Sequence, residues 1–297
     1  MRVTQKILFN NFMRDVNKNR GEMGRIQSDL SSGKEVRVAS QDPVSFQRSR
    51  IIEDNIRKEE QYQSNISSGL RQGRLAQESL DETIDRLVDI KRLMVQGASD
   101  SSDAKIRTNM ADEVGEIRDS LVQTLNVSYG DRYLFAGTNS GEKPFDYDPL
   151  APGGVDNTSN GTAPKILVAD GMSLDFSISG EELTDTDSGD LFEVLGNIED
   201  ALRNNDSGAV NTMLSDIDGV IEHVTDKTSK LGSNITRLEH MFEQYESSKI
   251  IQKADVSNLV DTDFAQAFSE LQRTQVAYES AMAVHSKMFS NTLLNYL

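Results

Sequence analysis

The stretch FNNFMRDVNKNRGEMGRIQSDL, residues 9–30, decides how the rest of this 297-residue chain reads. Phe9, Phe12, Val16, Asn19, Met23, Ile26 and Leu30 recur at alternating three- and four-residue spacing, and only Asn19 among them is polar. That is the a/d pattern of a helix made to lie along another helix. The pattern stops at Ser31-Ser32-Gly33, where Gly33 suits the left-handed position that follows a helix. From there to Gln41-Asp42-Pro43 the chain reads as an extended link, because the residue before a proline avoids the helical region.

The opposite end repeats the signal. Asp261-Thr262-Asp263 reads as a helix start, with carboxylates suited to the positive end of the dipole. Behind it run Phe264, Phe268, Leu271, Gln275, Tyr278, Met282, His285, Phe289, Thr292 and Tyr296 at helical spacing. Ala277, Ala281, Val284 and Met288 widen the stripe, and Leu293 and Leu294 extend it. A large apolar side chain gains about 1.5–3 kcal/mol when fully buried, so both ends gain from a partner. Left uncovered, they form the kind of apolar patch that marks an interaction site. Periodicity alone leaves two arrangements open: the two seams pair within one bundle, or they face neighbouring molecules. On the second reading the expected subunit interface is Phe9, Phe12, Val16, Met23, Ile26, Leu30, Phe264, Phe268, Leu271, Tyr278, Met282, Phe289, Leu293 and Leu294.

Between the ends, a helical block opens after Pro43 with its best seam through Ile52, Ile56, Glu59, Gln63, Ile66, Leu70, Gly73, Gln77, Leu80, Ile84, Leu87, Lys91 and Met94. Gly97 and the polar run 99–103 break it, and Ile106, Met110, Val114, Ile117, Leu121 and Leu125 line a further helix. From about Gly130 to Asp187 glycine, proline, asparagine and aspartate cluster, and KILVAD and SLDFSIS around Gly171 predict a hairpin. Helix returns at 190–204. The strongest core seam of the chain follows, from Val210 through Leu214, Ile217, Ile221, Val224, Thr228, Leu231, Ile235, Leu238 and Phe242 to Tyr245. The expected fold is mainly α: an elongated helical rod with paired terminal coiled-coil helices and a small β-rich outer insertion.

Composition agrees with thin helices. Only 36% of residues are hydrophobic and tryptophan is absent, as narrow apolar stripes require. A net charge of −17 repels phosphate backbones, so no nucleic acid is expected. No run of about 18 apolar residues predicts a membrane span, and the N-terminal twenty residues lack the form of a cleaved signal. With no cysteine, disulfides and thiol chemistry are excluded. His223, His240 and His285 have no histidine at i+3 or i+4, which argues for surface or seam roles over metal ligation. Asp185–Asp190 fails as a calcium loop, with Gly189 at the third ligand position, and reads as a helix cap. No enzyme and no cofactor are expected.

Longer segments carry a resemblance. Leu30–Pro43, LSSGKEVRVASQDP, resembles a segment of bacterial flagellins, and Arg86–Gln96, RLVDIKRLMVQ, is similar to a second one. Within that superfamily, Tyr133–Thr138 (YLFAGT) with Pro144-Phe145, the opening Met1-Arg2-Val3-Thr4-Gln5 and the closing Leu293-Leu294-Asn295-Tyr296-Leu297 resemble the hook–filament junction branch. The resemblance covers nearly everything outside 146–187.

It implies a radial plan in five segments: 1–43 an inner coiled-coil segment and link, 44–136 the first part of a helical rod, 137–187 a small β/loop outer domain, 188–260 the second part of the rod, and 261–297 the C-terminal inner coiled coil. It further implies a structural adaptor joining the flagellar hook, through the first hook-associated junction protein, to the flagellin filament. Its partners would be those two axial proteins, copies of itself, and an export chaperone on the C-terminal helix. Its place would be the extracellular flagellum, reached through the flagellar type III system without a cleaved signal peptide. The alternatives are a filament-forming flagellin and a secreted coiled-coil adhesin or effector.

Overall fold

A computed structural model describes the backbone of residues 2–99 and 103–294, and the side chains of 6–7, 9–99 and 103–287. Three helices come first, α1 (Arg2–Ser32), α2 (Pro43–Gly97) and α3 (Ala104–Leu125). Four antiparallel two-stranded ribbons follow: β1 (Ser128–Tyr129) with β2 (Arg132–Tyr133), β3 (Phe145–Tyr147) with β4 (Val155–Asn157), β5 (Lys165–Ala169) with β6 (Met172–Asp175), and β7 (Asp185–Thr186) with β8 (Gly189–Asp190). The short helix α4 (Gly180–Thr184) precedes the last ribbon. Four helices close the chain, α5 (Leu191–Arg203), α6 (Ser207–Thr212), α7 (Leu214–Val260) and α8 (Phe264–Leu294). The fold is therefore mainly α, with the hairpin around Gly171 where its period-2 flanks predict one, Gly171 itself at φ +70°. The chain forms two compact units: unit 1 comprises residues 1–57 and 248–297, and unit 2 comprises 58–247.

Unit 2 is organised by α2. Its buried line runs through Gln63, Ile66, Gly69, Gly73, Ala76, Leu80, Thr83, Leu87, Ile90, Met94 and Gly97, at steps of three or four residues, with Ser79 and Leu93 buried beside it. The expected seam slips off this line by one residue: Gln77, Ile84 and Lys91 lie at its edge, while Ala76, Thr83 and Ile90 are buried. Close approach is the physical reason. A Cβ on Gly69 would stand 2.4 Å from the Ile166 side chain, and one on Gly73 would stand 3.0 Å from the Phe176 carbonyl and 3.2 Å from Ile235. Small Gly69, Ala76 and Thr83 hold the seam beside the expected Leu70, Gln77 and Ile84. Its hydroxyls are satisfied within the backbone: Ser79 donates to the Thr124 carbonyl at 2.6 Å and Thr83 to that of Ser79 at 2.8 Å. The α7 seam follows the expected line, with Ile217, Val224, Thr228, Leu231, Ile235 and Leu238 buried.

A second departure lies on α3. Ile106 is exposed, and the buried position beside it belongs to Arg107. The guanidinium donates to the carbonyls of Gly97 (2.7 Å) and Ser99 (3.0 Å) and to the Asn205 side chain (2.6 Å). It thereby satisfies carbonyls at the C-terminal end of α2 that no helix turn can reach.

The segment 137–187 shares its core with the helices. Its Phe145, Val155, Ile178 and Leu183 belong to one apolar cluster with Phe135 and residues of α2, α3, α5 and α7. The β5–β6 hairpin packs Val168 and Leu174 against Ile66 and Leu238. Tyr245 donates to the Val168 carbonyl at 2.7 Å, and the Asn65 amide donates to that of Leu167 at 3.0 Å. Asp190 caps α5 by accepting from the Phe192 N–H at 2.9 Å, as the cap reading of 185–190 requires.

Two outcomes follow for stability, each read from chemical denaturation followed by circular dichroism. Gly73→Val should destabilise the chain by about 2 kcal/mol or more through overpacking, whereas Gly21→Ala on α1, where a Cβ meets nothing within 4 Å, should stabilise its helix by about 0.5–1 kcal/mol. Arg107→Leu should cost about 2–4 kcal/mol, because the buried Gly97 carbonyl and the Ser99 carbonyl lose this donor at once.

Candidate subunit interface

Unit 1 is built where the two ends of the chain meet. The link after α1 turns through Gly33 at φ +70°, a backbone that favours glycine. Lys34 forms an antiparallel bridge with Asp261, and the N–H groups of Glu35 and Val36 donate to the Val260 carbonyl at 2.8 and 3.2 Å. The Thr262 N–H donates to the Gly33 carbonyl at 2.9 Å, and its hydroxyl reaches the Asp29 carbonyl at 3.3 Å. Asp29, only 3% exposed, is held by Arg37 at 2.8 Å and Arg25 at 3.1 Å. Asp263 then starts α8, its carboxylate accepting from the N–H groups of Ala265 and Gln266 at 2.9 and 3.0 Å.

Beyond this junction α1 and α8 pack side by side. On α1, Val16 and Ile26 are buried, while Phe12, Asn19, Met23 and Leu30 are half-buried, so the expected seam is the packed face. Phe9 remains 41% exposed at its edge. On α8 the least exposed line is Ala267, Leu271, Thr274, Tyr278, Ala281 and His285, again alternating by four and three. His285 stacks on Phe12 with ring centroids 4.0 Å apart and lies 5.8 Å from Phe9.

The expected α8 residues therefore divide into two groups. Leu271 and Tyr278 belong to the packed line, whereas Phe264, Phe268 and Met282 are 58%, 57% and 45% exposed. On a helical wheel the exposed three form a second stripe beside the packed one. Phe289, Leu293 and Leu294 fall outside the described side chains.

Exposure of this kind is concentrated in unit 1. Of the twenty large apolar side chains left exposed among the described residues, thirteen belong to it, although it holds only five of the forty-two buried apolar ones. Sequence reasoning missed several of the thirteen, among them Val44 and Ile51 on α2, Ile250 and Ile251 on α7, and Val276 on α8. The seven-residue spacing of Val44 and Ile51 was the available signal.

The geometry is that of a packing surface. No group of three or more His, Asp or Glu side chains placed to hold a metal occurs among the described residues. Hydrogen bonds from Ser45 lower the Asp42 carboxyl at the start of α2, and the bond to Glu199 raises Arg203. The other displaced groups, Tyr147 and Tyr245, are pushed above the ordinary phenol range by burial, with Asp119 adding to the first and Glu59 to the second. Both tyrosines lie in unit 2.

Comparison with known proteins places this geometry in a family. The profile of the bacterial flagellin N-terminal helical region matches residues 3–140, and that of the flagellin C-terminal helical region matches 214–297. The flagellar hook-associated protein 3 of Salmonella typhimurium is 21% identical, over 97% of both chains. The flagellin of Bacillus subtilis is 22% identical, over 96% of this chain and 95% of its own. The solved structure of a flagellar hook-associated protein from Vibrio parahaemolyticus, 20% identical, superposes with a TM-score of 0.66, covering 74% of this chain and all of that one. The two helical regions leave only residues 1–2 and 141–213 unmatched, and the chain belongs to the bacterial flagellin family.

Proposed function

We propose that this chain is a structural adaptor of the flagellum, joining the hook, through the first hook-associated junction protein, to the flagellin filament. The observation that carries the assembly reading is the concentration of exposed apolar side chains in unit 1. The junction reading is supported by full-length similarity to hook-associated protein 3. On this reading the α1–α8 pair is the inner coiled coil and forms the segments 1–43 and 261–297. Segments 44–136 and 188–260 form the rod, and 137–187 the outer part. Phe9 and the stripe Phe264–Phe268–Met282 meet neighbouring subunits; Phe289, Leu293 and Leu294 belong to the same interface by sequence spacing alone. Phe12, Val16, Met23, Ile26, Leu30, Leu271 and Tyr278 hold the two helices in the geometry that presents it.

The same stripe is the segment an export chaperone would cover before type III export, which delivers the chain to the cell exterior without a cleaved signal. Full-length similarity to a flagellin favours one second reading, a filament-forming subunit.

Purified chain added to short filament seeds, followed by electron microscopy, separates these readings. A junction adaptor adds a bounded layer and stops; long growth from this chain alone would establish the flagellin reading instead. The double variant Phe264→Ser/Phe268→Ser should lose addition to seeds at least about tenfold while its denaturation midpoint stays near that of the parent, since removing exposed apolar groups changes stability by about 0.5 kcal/mol or less. Amide exchange offers an independent check. Helices that need partners should exchange rapidly over residues 5–30 and 265–290 in dilute solution and slow on assembly; strong protection in the free chain would count against the reading.

A further inference from the structure

Charge is divided between the units as unevenly as apolar exposure. Unit 1 contains 15 Lys and Arg against 12 Asp and Glu, a net of +3; unit 2 contains 16 against 36, a net of −20. The acidity of the chain is entirely a property of unit 2. Local pairing leaves most of it standing, because 16 basic residues can offset fewer than half of 36 acids.

Two forces then act between free copies. Apolar contact through unit 1 operates at van der Waals range. Repulsion between the acidic bodies extends over a Debye length, about 30 Å at 0.01 M salt and about 3 Å at 1 M. At low ionic strength the longer-ranged force acts first.

We propose that unit 2 is an electrostatic guard, and that self-association of this chain through unit 1 is gated by ionic strength. The inference rests on the reading of unit 1 as the assembly surface. It gives an adaptor that must add to an existing end a reason not to collect with its own copies in solution.

Sedimentation velocity of the full chain, at one fixed concentration and in NaCl from about 0.01 M to about 1 M, tests it. A single monomer boundary is expected at the lowest salt, with faster species growing in as salt rises. The variant Asp81→Asn, Asp85→Asn, Glu113→Gln, Glu116→Gln, Glu222→Gln, Asp226→Asn changes only exposed side chains. It takes unit 2 from −20 to −14, and repulsion that scales with the product of the charges falls to about half. The salt concentration of half-association should drop at least about twofold. Association at the lowest salt, no association at any salt, or an unchanged midpoint in the variant would each overturn the guard.

Salts such as sulfate also strengthen apolar burial directly. Sodium sulfate should therefore match NaCl at equal ionic strength, and a midpoint that follows sulfate instead would overturn screening as the gate. Phe264→Ser/Phe268→Ser should remain monomeric throughout. Its association would defeat the unit 1 reading, while the guard is judged separately by the acid-to-amide variant.

Discussion

The distance at which α2 can be approached governs unit 2. Along its buried line the chain places Gly69, Gly73, Ala76, Thr83 and Gly97 among larger residues, and each of the three glycines marks a point where something comes close. Gly73 faces both the Phe176 carbonyl and Ile235 of α7, and Gly97 faces Leu202 of α5, where a Cβ would stand 2.6 Å from a methyl. Glycine in a helix interior costs about 0.5–1 kcal/mol relative to alanine. That cost is offset by the contacts that only a missing side chain permits. The same close approach lets the β5–β6 hairpin lie on the helices, with Ile166 beside Gly69. The central segment is thus built onto the helices and has little need of a core of its own.

Unit 1 follows different physics. It contains little buried apolar area, and its order begins at a polar junction. There Asp29, two arginines and the backbone groups of Gly33, Val260 and Thr262 fix how one helix ends and another begins. Thirteen of its large apolar side chains are still exposed to solvent among the described residues. A surface of this kind stabilises a complex more than it stabilises a monomer. The division between a packed unit and an open one is the structural basis for reading the chain as an assembly component.

Much of this was legible in the sequence where large apolar residues set the pattern. The α1 seam and the α7 line are packed where their periodicity placed them, and Gly33 and Asp263 perform their cap roles. The α2 line was misread because helical spacing was carried onto Gln77, Ile84 and Lys91, one residue past the buried Ala76, Thr83 and Ile90; Ala76 and Thr83 look unremarkable beside Ile84. Arg107 was missed for a related reason, since a cation is expected in solvent until unsatisfied carbonyls surround it. On α8 the sequence shows one wide stripe, and only the position of α1 reveals that it is two: a packed line through Ala267, Leu271 and Tyr278, and an exposed one through Phe264, Phe268 and Met282. Periodicity reports that a face is apolar; it does not report how many partners share it.

The meeting of Gly73 with Ile235 also orders events in time. Everything from α3 to α6 lies between these two residues in the chain, so the α2 seam stays unfinished until the last third of unit 2 is available. Closing so long a loop is entropically slow, and structures dominated by distant contacts form more slowly than those built from local ones. Helices of this length would be expected of a fast folder, yet here their partners are far apart. A chain emerging from its N-terminus carries an open apolar groove on α2 for most of its emergence. That interval, more than any instability of the finished fold, is when wrong pairing is easiest.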